Sequence, residues 1–91
     1  MPRVFVFGSF VIFFWSNEGG EPIHVHVAVK RPVEGATKIW LTAGGGCTVA
    51  SNGSGISPKD LRDIQDFIVA NHDEICERWA ETFGETPRFL S

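Results

Sequence analysis

From Ser57 to Gly84 the chain carries one apolar stripe at helical spacing, Leu61, Ile64, Ile68, Ile75, Trp79 and Phe83, and almost everything before it reads as short strands. A single helix can cover only one face of a sheet. The pattern therefore predicts an α+β fold: a curved antiparallel sheet of four to five strands, opened by a β-hairpin and packed by one long C-terminal amphipathic helix. Ser57 is placed as N-cap, with Pro58 at the first helical position and Asp60 three residues after the cap. Gly84 supplies the stop. Continuity of the helix through Asn71-His72 stays open, because that pair can mark a bend or a break.

The strands are read from local chemistry. Val4-Phe5-Val6-Phe7 and Phe10 to Trp15 flank Gly8-Ser9, a two-residue hairpin turn with glycine first. Turn residues fill Ser16 to Pro22, after which Ile23-His24-Val25-His26-Val27-Ala28-Val29 alternates with period two. Ala36 to Leu41 forms a fourth strand, and Gly44-Gly45-Gly46 turns the chain toward a weaker fifth at Cys47 to Ala50. A chain of 91 residues supports one core, so residues 1–84 form one domain with 85–91 as a short tail. Strands one and two are apolar on both faces, which predicts either a sheet curled into a partial barrel or a face that meets another subunit, as in a homodimer.

Composition excludes several classes. No apolar run approaches the ~20 residues of a membrane helix, and the N-terminus lacks a leader pattern, so a cytoplasmic protein that engages no membrane is expected. Residues 1–56 carry four Lys/Arg and three Asp/Glu, whereas residues 57–91 carry four and eight, for a net charge of −3. This balance gives no support to nucleic-acid binding through a basic surface, although Lys30 and Arg31 form a local basic pair able to touch a phosphate. About 100° per residue sets Asp63, Asp66, Glu74, Glu77 and Glu81 opposite the apolar stripe, as a solvated face or a docking surface for a partner. Cys47 and Cys76 have no metal-like spacing, and no histidine is read as an activating neighbour for either. They are expected to be free buried thiols.

His24 and His26 are the pointed feature. Two apart on a strand, they project from the same face with Cβ atoms roughly 6–7 Å apart, which can chelate one divalent metal ion. Asn17, Glu18 and Glu21 in the preceding turn are near enough to add an oxygen ligand or to orient a ring nitrogen. His72, on the sheet-facing edge of the helix, would make a three-histidine site if it reached them. The same alternation also fits a solvated face at His24 and His26, with Val25, Val27 and Val29 turned to the core.

The aromatic-Ser-Asn-Glu turn at Trp15-Ser16-Asn17-Glu18, the strand Glu21-Pro22-Ile23-His24-Val25-His26-Val27, the segment Lys38-Ile39-Trp40-Leu41 and the final helix with Trp79 and Phe83-Gly84 resemble the small bacterial family known as domain of unknown function 4160. Here Ile23 stands where that family commonly has proline, and the Gly/Ser-rich stretch from Gly44 to Gly55 is longer than its usual connection. The resemblance implies a partner protein of a toxin-antitoxin-like pair, with no catalytic residue attached. The leading expectation is thus a binding or regulatory module acting through protein-protein contacts. The alternative is a small metal-dependent hydrolase or nuclease built on His24 and His26, and a third reading makes the pair a metal-free pH-sensitive contact or general base.

Overall fold

The structure is a computed structural model and describes residues 3–90. Five strands, β1 (Arg3–Phe7), β2 (Phe10–Phe13), β3 (His24–Val29), β4 (Thr37–Leu41) and β5 (Cys47–Ser51), pair in sequence order as an antiparallel meander. Each neighbour is the next strand along the chain, so loop closure at every step is short. The β1–β2 turn is the two-residue hairpin read from the sequence: Phe7 pairs with Phe10, and Gly8 takes a φ of 61°, a conformation that costs glycine little.

The long helix is interrupted. Helix α1 spans Pro58–Ala70 and helix α2 spans His72–Phe83, with Asn71 between them at φ −115°, ψ 20°. At the interruption the Asn71 backbone N–H still donates to the Phe67 carbonyl at 3.1 Å, and its side-chain Nδ2 adds a second bond to the same carbonyl at 2.8 Å, capping the end of the first helix. The Asn71 carbonyl then accepts from Ile75 N and starts the second helix. The other end signals act as read: Ser57 accepts from Asp60 N–H at 3.2 Å, and Gly84 closes α2 in the left-handed region. Replacing Ser57 with alanine should cost about 1 kcal/mol in urea unfolding, since it orphans one amide of the first turn.

Both helices lie on one sheet face. Ile12, Val25, Val27, Ile39 and Leu41 meet Ile64, Ile68, Ile75 and Trp79 in one buried cluster. Phe83 and Leu61 complete the stripe as partly buried residues. The acidic residues stay outward: Asp66, Glu74, Glu77 and Glu81 are exposed, and Asp63 and Glu74 pair with Lys59 and Arg78 one helical turn away. The break at Asn71 divides this acidic stripe between two helices.

The opposite sheet face is covered within the single chain. Val11, Phe13, Ala28 and Ala36 form a second buried cluster flanked by Trp15, and the sheet remains an open meander without closing as a barrel. Much of the apolar surplus of the first strands is thus covered within the chain, although Val6 remains 58% exposed. The loop after β5 is tied to the sheet by its own bonds: the Thr37 hydroxyl donates to Asn52 Oδ1 at 2.6 Å, and the Ser54 hydroxyl donates to the Val27 carbonyl at 3.1 Å. Among the described residues, no helix is long and apolar enough to cross a membrane.

Candidate metal centre

The turn between β2 and β3 folds back over the sheet. The Glu18 amide donates to the Trp15 carbonyl at 3.2 Å, and the Trp15 amide returns a bond to Glu18 Oε1 at 2.8 Å. This pair of local bonds turns the second carboxylate oxygen toward β3. There it stands 2.7 Å from His26 Nε2 and 2.9 Å from His24 Nε2. One potential ligand atom from each of Glu18, His24 and His26 lies within 4.8 Å of the others.

The histidines are not on a solvated face. His24 is fully buried, and Glu18 and His26 nearly so. Val25 and Val27 do face the core, but Val29, beyond the covered part of the strand, is 48% exposed. The His24 ring makes edge contacts with Trp40 and Trp79 at 5.2 and 5.5 Å, and the His26 ring lies against Phe13 at 5.5 Å. Such packing holds both imidazoles in place without using their nitrogens.

Hydrogen bonding distinguishes the two rings. His24 Nδ1 is 2.9 Å from the Pro22 carbonyl. A carbonyl only accepts, so Nδ1 carries the proton and a neutral His24 presents a bare lone pair at Nε2. That nitrogen is buried without a hydrogen-bond partner, since its approach to Glu18 lacks hydrogen-bond geometry. His26 Nε2 donates to Glu18 in the metal-free protein. Burial acts to raise the Glu18 carboxyl, but the contacts with His24 and His26 and the Trp15 amide outweigh it and hold the group well below the usual carboxylate range, the His24 share of that lowering requiring a proton on its Nε2. Glu18 is therefore an anion facing two imidazoles.

A cleft of about 670 Å³ opens beside this cluster, lined by Trp15, Ser16, Asn17, Glu18, Glu21, His26, Glu34 and Gly35. Asn17 and Glu21 thus sit at the site, with Glu21 also 3.9 Å from Lys38. Glu34, not singled out from the sequence, joins them because the β3–β4 connection returns to the same side. It is separated from His26 by eight positions, and no local pattern links the two.

The remaining candidates lie elsewhere. His72 Nε2 donates to the Thr42 carbonyl at 2.8 Å and its ring stacks on Phe89 at 5.8 Å, so Glu18 takes the third position that His72 would have filled. Lys30 and Arg31 are exposed beyond the end of β3 remote from His24 and do not line the cleft. The expectation that no histidine neighbours a cysteine needs correcting, because Cys76 Sγ lies 3.8 Å from His72 Nδ1, one helical turn away. Burial and the nearby Asp73 carboxylate push that thiol up, which opposes a reactive thiolate. Both cysteines are free, as expected, but only partly buried, where full burial was expected.

No curated protein and no solved structure matches this chain. Residues 9–80 match a family described as a domain of unknown function (DUF4160), a span that contains the turn, both histidines and most of the two helices. The chain belongs to the DUF4160 family.

Proposed function

We propose that this domain holds one divalent transition-metal ion on Glu18, His24 and His26 and uses it for hydrolysis in the adjoining cleft. The strongest support is the 2.9 Å approach of His24 Nε2 to Glu18 Oε2 without a hydrogen bond between them. With the Nδ1 proton committed to Pro22, a neutral His24 directs a lone pair at the carboxylate, a repulsion relieved either by a second proton on the ring or by a metal ion held between the two. In a tetrahedral site with bonds of about 2.0–2.2 Å, ligand atoms stand ~3.3–3.6 Å apart, so the 2.7 and 2.9 Å approaches of the two rings to Glu18 would have to open by roughly half an ångström to admit an ion. The Pro22 carbonyl behind His24 is the partner that metal-bound histidines usually have.

Three protein ligands beside an open cleft match the pattern of catalytic sites, whereas structural zinc sites are closed by four. A metal held there would acidify a bound water toward a pKa of ~7. The cleft selects what can be hydrolysed. Glu18, Glu21 and Glu34 line it and no Lys or Arg is among its described lining residues, an arrangement that repels a phosphodiester and favours a neutral or cationic ester or amide. Hydrolysis of an acyl bond therefore fits better than nuclease action. A small-protein partner or second copy is compatible with this chemistry, and Val6, 58% exposed beside the second apolar cluster, is the part of the sheet face left for one.

Calorimetric titration with zinc, nickel and manganese should give one site per chain, lost in His24→Ala/His26→Ala with its circular dichroism retained. The loaded protein should cleave chromogenic esters or amides in preference to a bis-aryl phosphodiester. Absence of heat, or equal heat in both proteins, would overturn the metal reading. Preferential phosphodiester cleavage would overturn the assignment of substrate.

A further inference from the structure

Residues 85–89 follow the αL cap at Gly84 and lie beyond the last family-matched residue, yet they run back to the turn that carries Glu18. Glu85 Oε1 accepts from Gly20 N–H at 2.7 Å, and the Arg88 guanidinium donates to the Gly20 carbonyl. Both backbone groups of one glycine are thereby held, at a φ of 92° that other residues rarely adopt. Three residues on, the Ile23 amide donates to the Arg88 carbonyl at 2.7 Å. Phe89 anchors the segment by stacking on His72.

The Ile23 N–H and the Pro22 C=O belong to one planar peptide unit. Fixing the N–H by Arg88 therefore fixes the direction of the carbonyl, and that carbonyl is the acceptor for His24 Nδ1. Resting on the metal reading above, we propose that the 85–89 segment is a strap whose Glu85 and Arg88 are positioning residues for the metal centre. Through the Pro22–Ile23 peptide it keeps His24 in the Nδ1–H tautomer, which leaves Nε2 free as a ligand. Through Gly20 it holds the turn that presents Glu18.

Isolated neutral imidazoles favour the Nε2–H form, so the strap works against the intrinsic preference of His24. Its removal should let His24 relax. Imidazole ¹⁵N shifts at pH 8.5, measured on the full metal-free chain, should report Nδ1–H at His24. In Glu85→Ala/Arg88→Ala, and more fully in a chain ended after Gly84, the signal should move toward Nε2–H. Zinc affinity should fall roughly 10- to 100-fold, the usual effect of losing a partner that orients a ligand. Glu85→Gln/Arg88→Lys, which retains an acceptor and a donor, should restore both readouts.

An unchanged His24 tautomer in both the double variant and the shortened chain would overturn the strap, as would a tautomer shift that leaves zinc affinity at the wild-type value. If the wild-type chain binds no metal, the metal reading fails by itself and the tautomer measurement still decides the strap. Should the shortened chain fail to fold, the full-length double variant carries the decision.

Discussion

A transition-metal ion at a hundred times its dissociation constant is expected to raise the thermal midpoint of the wild-type chain by roughly 10–20 °C and to leave Glu18→Gln almost unmoved. The size follows from linkage: a ligand that binds only the folded state at that excess adds about 2.7 kcal/mol. In a domain of this length each kcal/mol shifts the midpoint by about 4–8 °C. Glutamine keeps Oε1 as acceptor for the Trp15 amide, and its amide nitrogen can donate to the bare His24 Nε2. The metal-free variant should therefore fold near pH 8, somewhat less stable than wild type because it gives up the ionised carboxylate's contacts, while binding metal at least 100-fold more weakly.

The acid side gives a second readout of the same carboxylate. Its folded pKa is depressed, so the stability it contributes is fully present above the ordinary glutamate value near 4.5 and is lost as pH falls below it. The metal-free wild type should lose stability in that range more steeply than Glu18→Gln. Urea midpoints from pH 7 down to pH 3 compare the two slopes. Parallel slopes would mean that the histidines do not hold the carboxylate as described.

The second large effect concerns Gly53. A Cβ at this position would overlap the Gly35 carbonyl, coming 2.9 Å from its carbon, and neither side can retreat freely. The two loops are stitched together by the Thr37–Asn52 and Ser54–Val27 bonds. Gly53→Ala is therefore expected to destabilise by about 3 kcal/mol or more, through backbone overlap and loss of those partly buried bonds. Gly44→Ala is the control: its Cβ meets nothing within 4 Å, and its effect should stay within about 1 kcal/mol. Equal effects in urea titrations would remove close backbone approach as the explanation.

What the sequence made legible was local. Glycine at the first hairpin position, the capping serine and the apolar stripe are each specified by residues a few positions apart, and each took its expected form. The β5 strand, Cys47–Ser51, was weaker in the sequence but follows from the glycine turn before it. The helix break was visible only as an ambiguity, because Asn71 can either continue a helix or cap its end with its own side-chain amide.

At the site, Glu18 was legible as a neighbour of the histidines because the turn joining them is short. Their burial was not, since it depends on that turn folding back over the sheet. His72 was placed correctly toward the sheet and yet met Thr42, because helical periodicity gives a face without saying which end of the sheet it crosses. The strap was invisible for the same kind of reason: Arg88 and Gly20 are 68 positions apart.

The placement of the aromatic residues has a practical consequence. The chain has three tryptophans and no tyrosine, so its ultraviolet emission comes from indole alone. Trp40 and Trp79 touch the His24 ring, and Trp15 lies 6.5 Å from the His26 ring. Every emitter is thus within quenching range of the same few cubic ångströms. A paramagnetic ion such as copper(II) seated between Glu18, His24 and His26 would darken all three together, which makes the unlabelled protein its own optical sensor of occupancy.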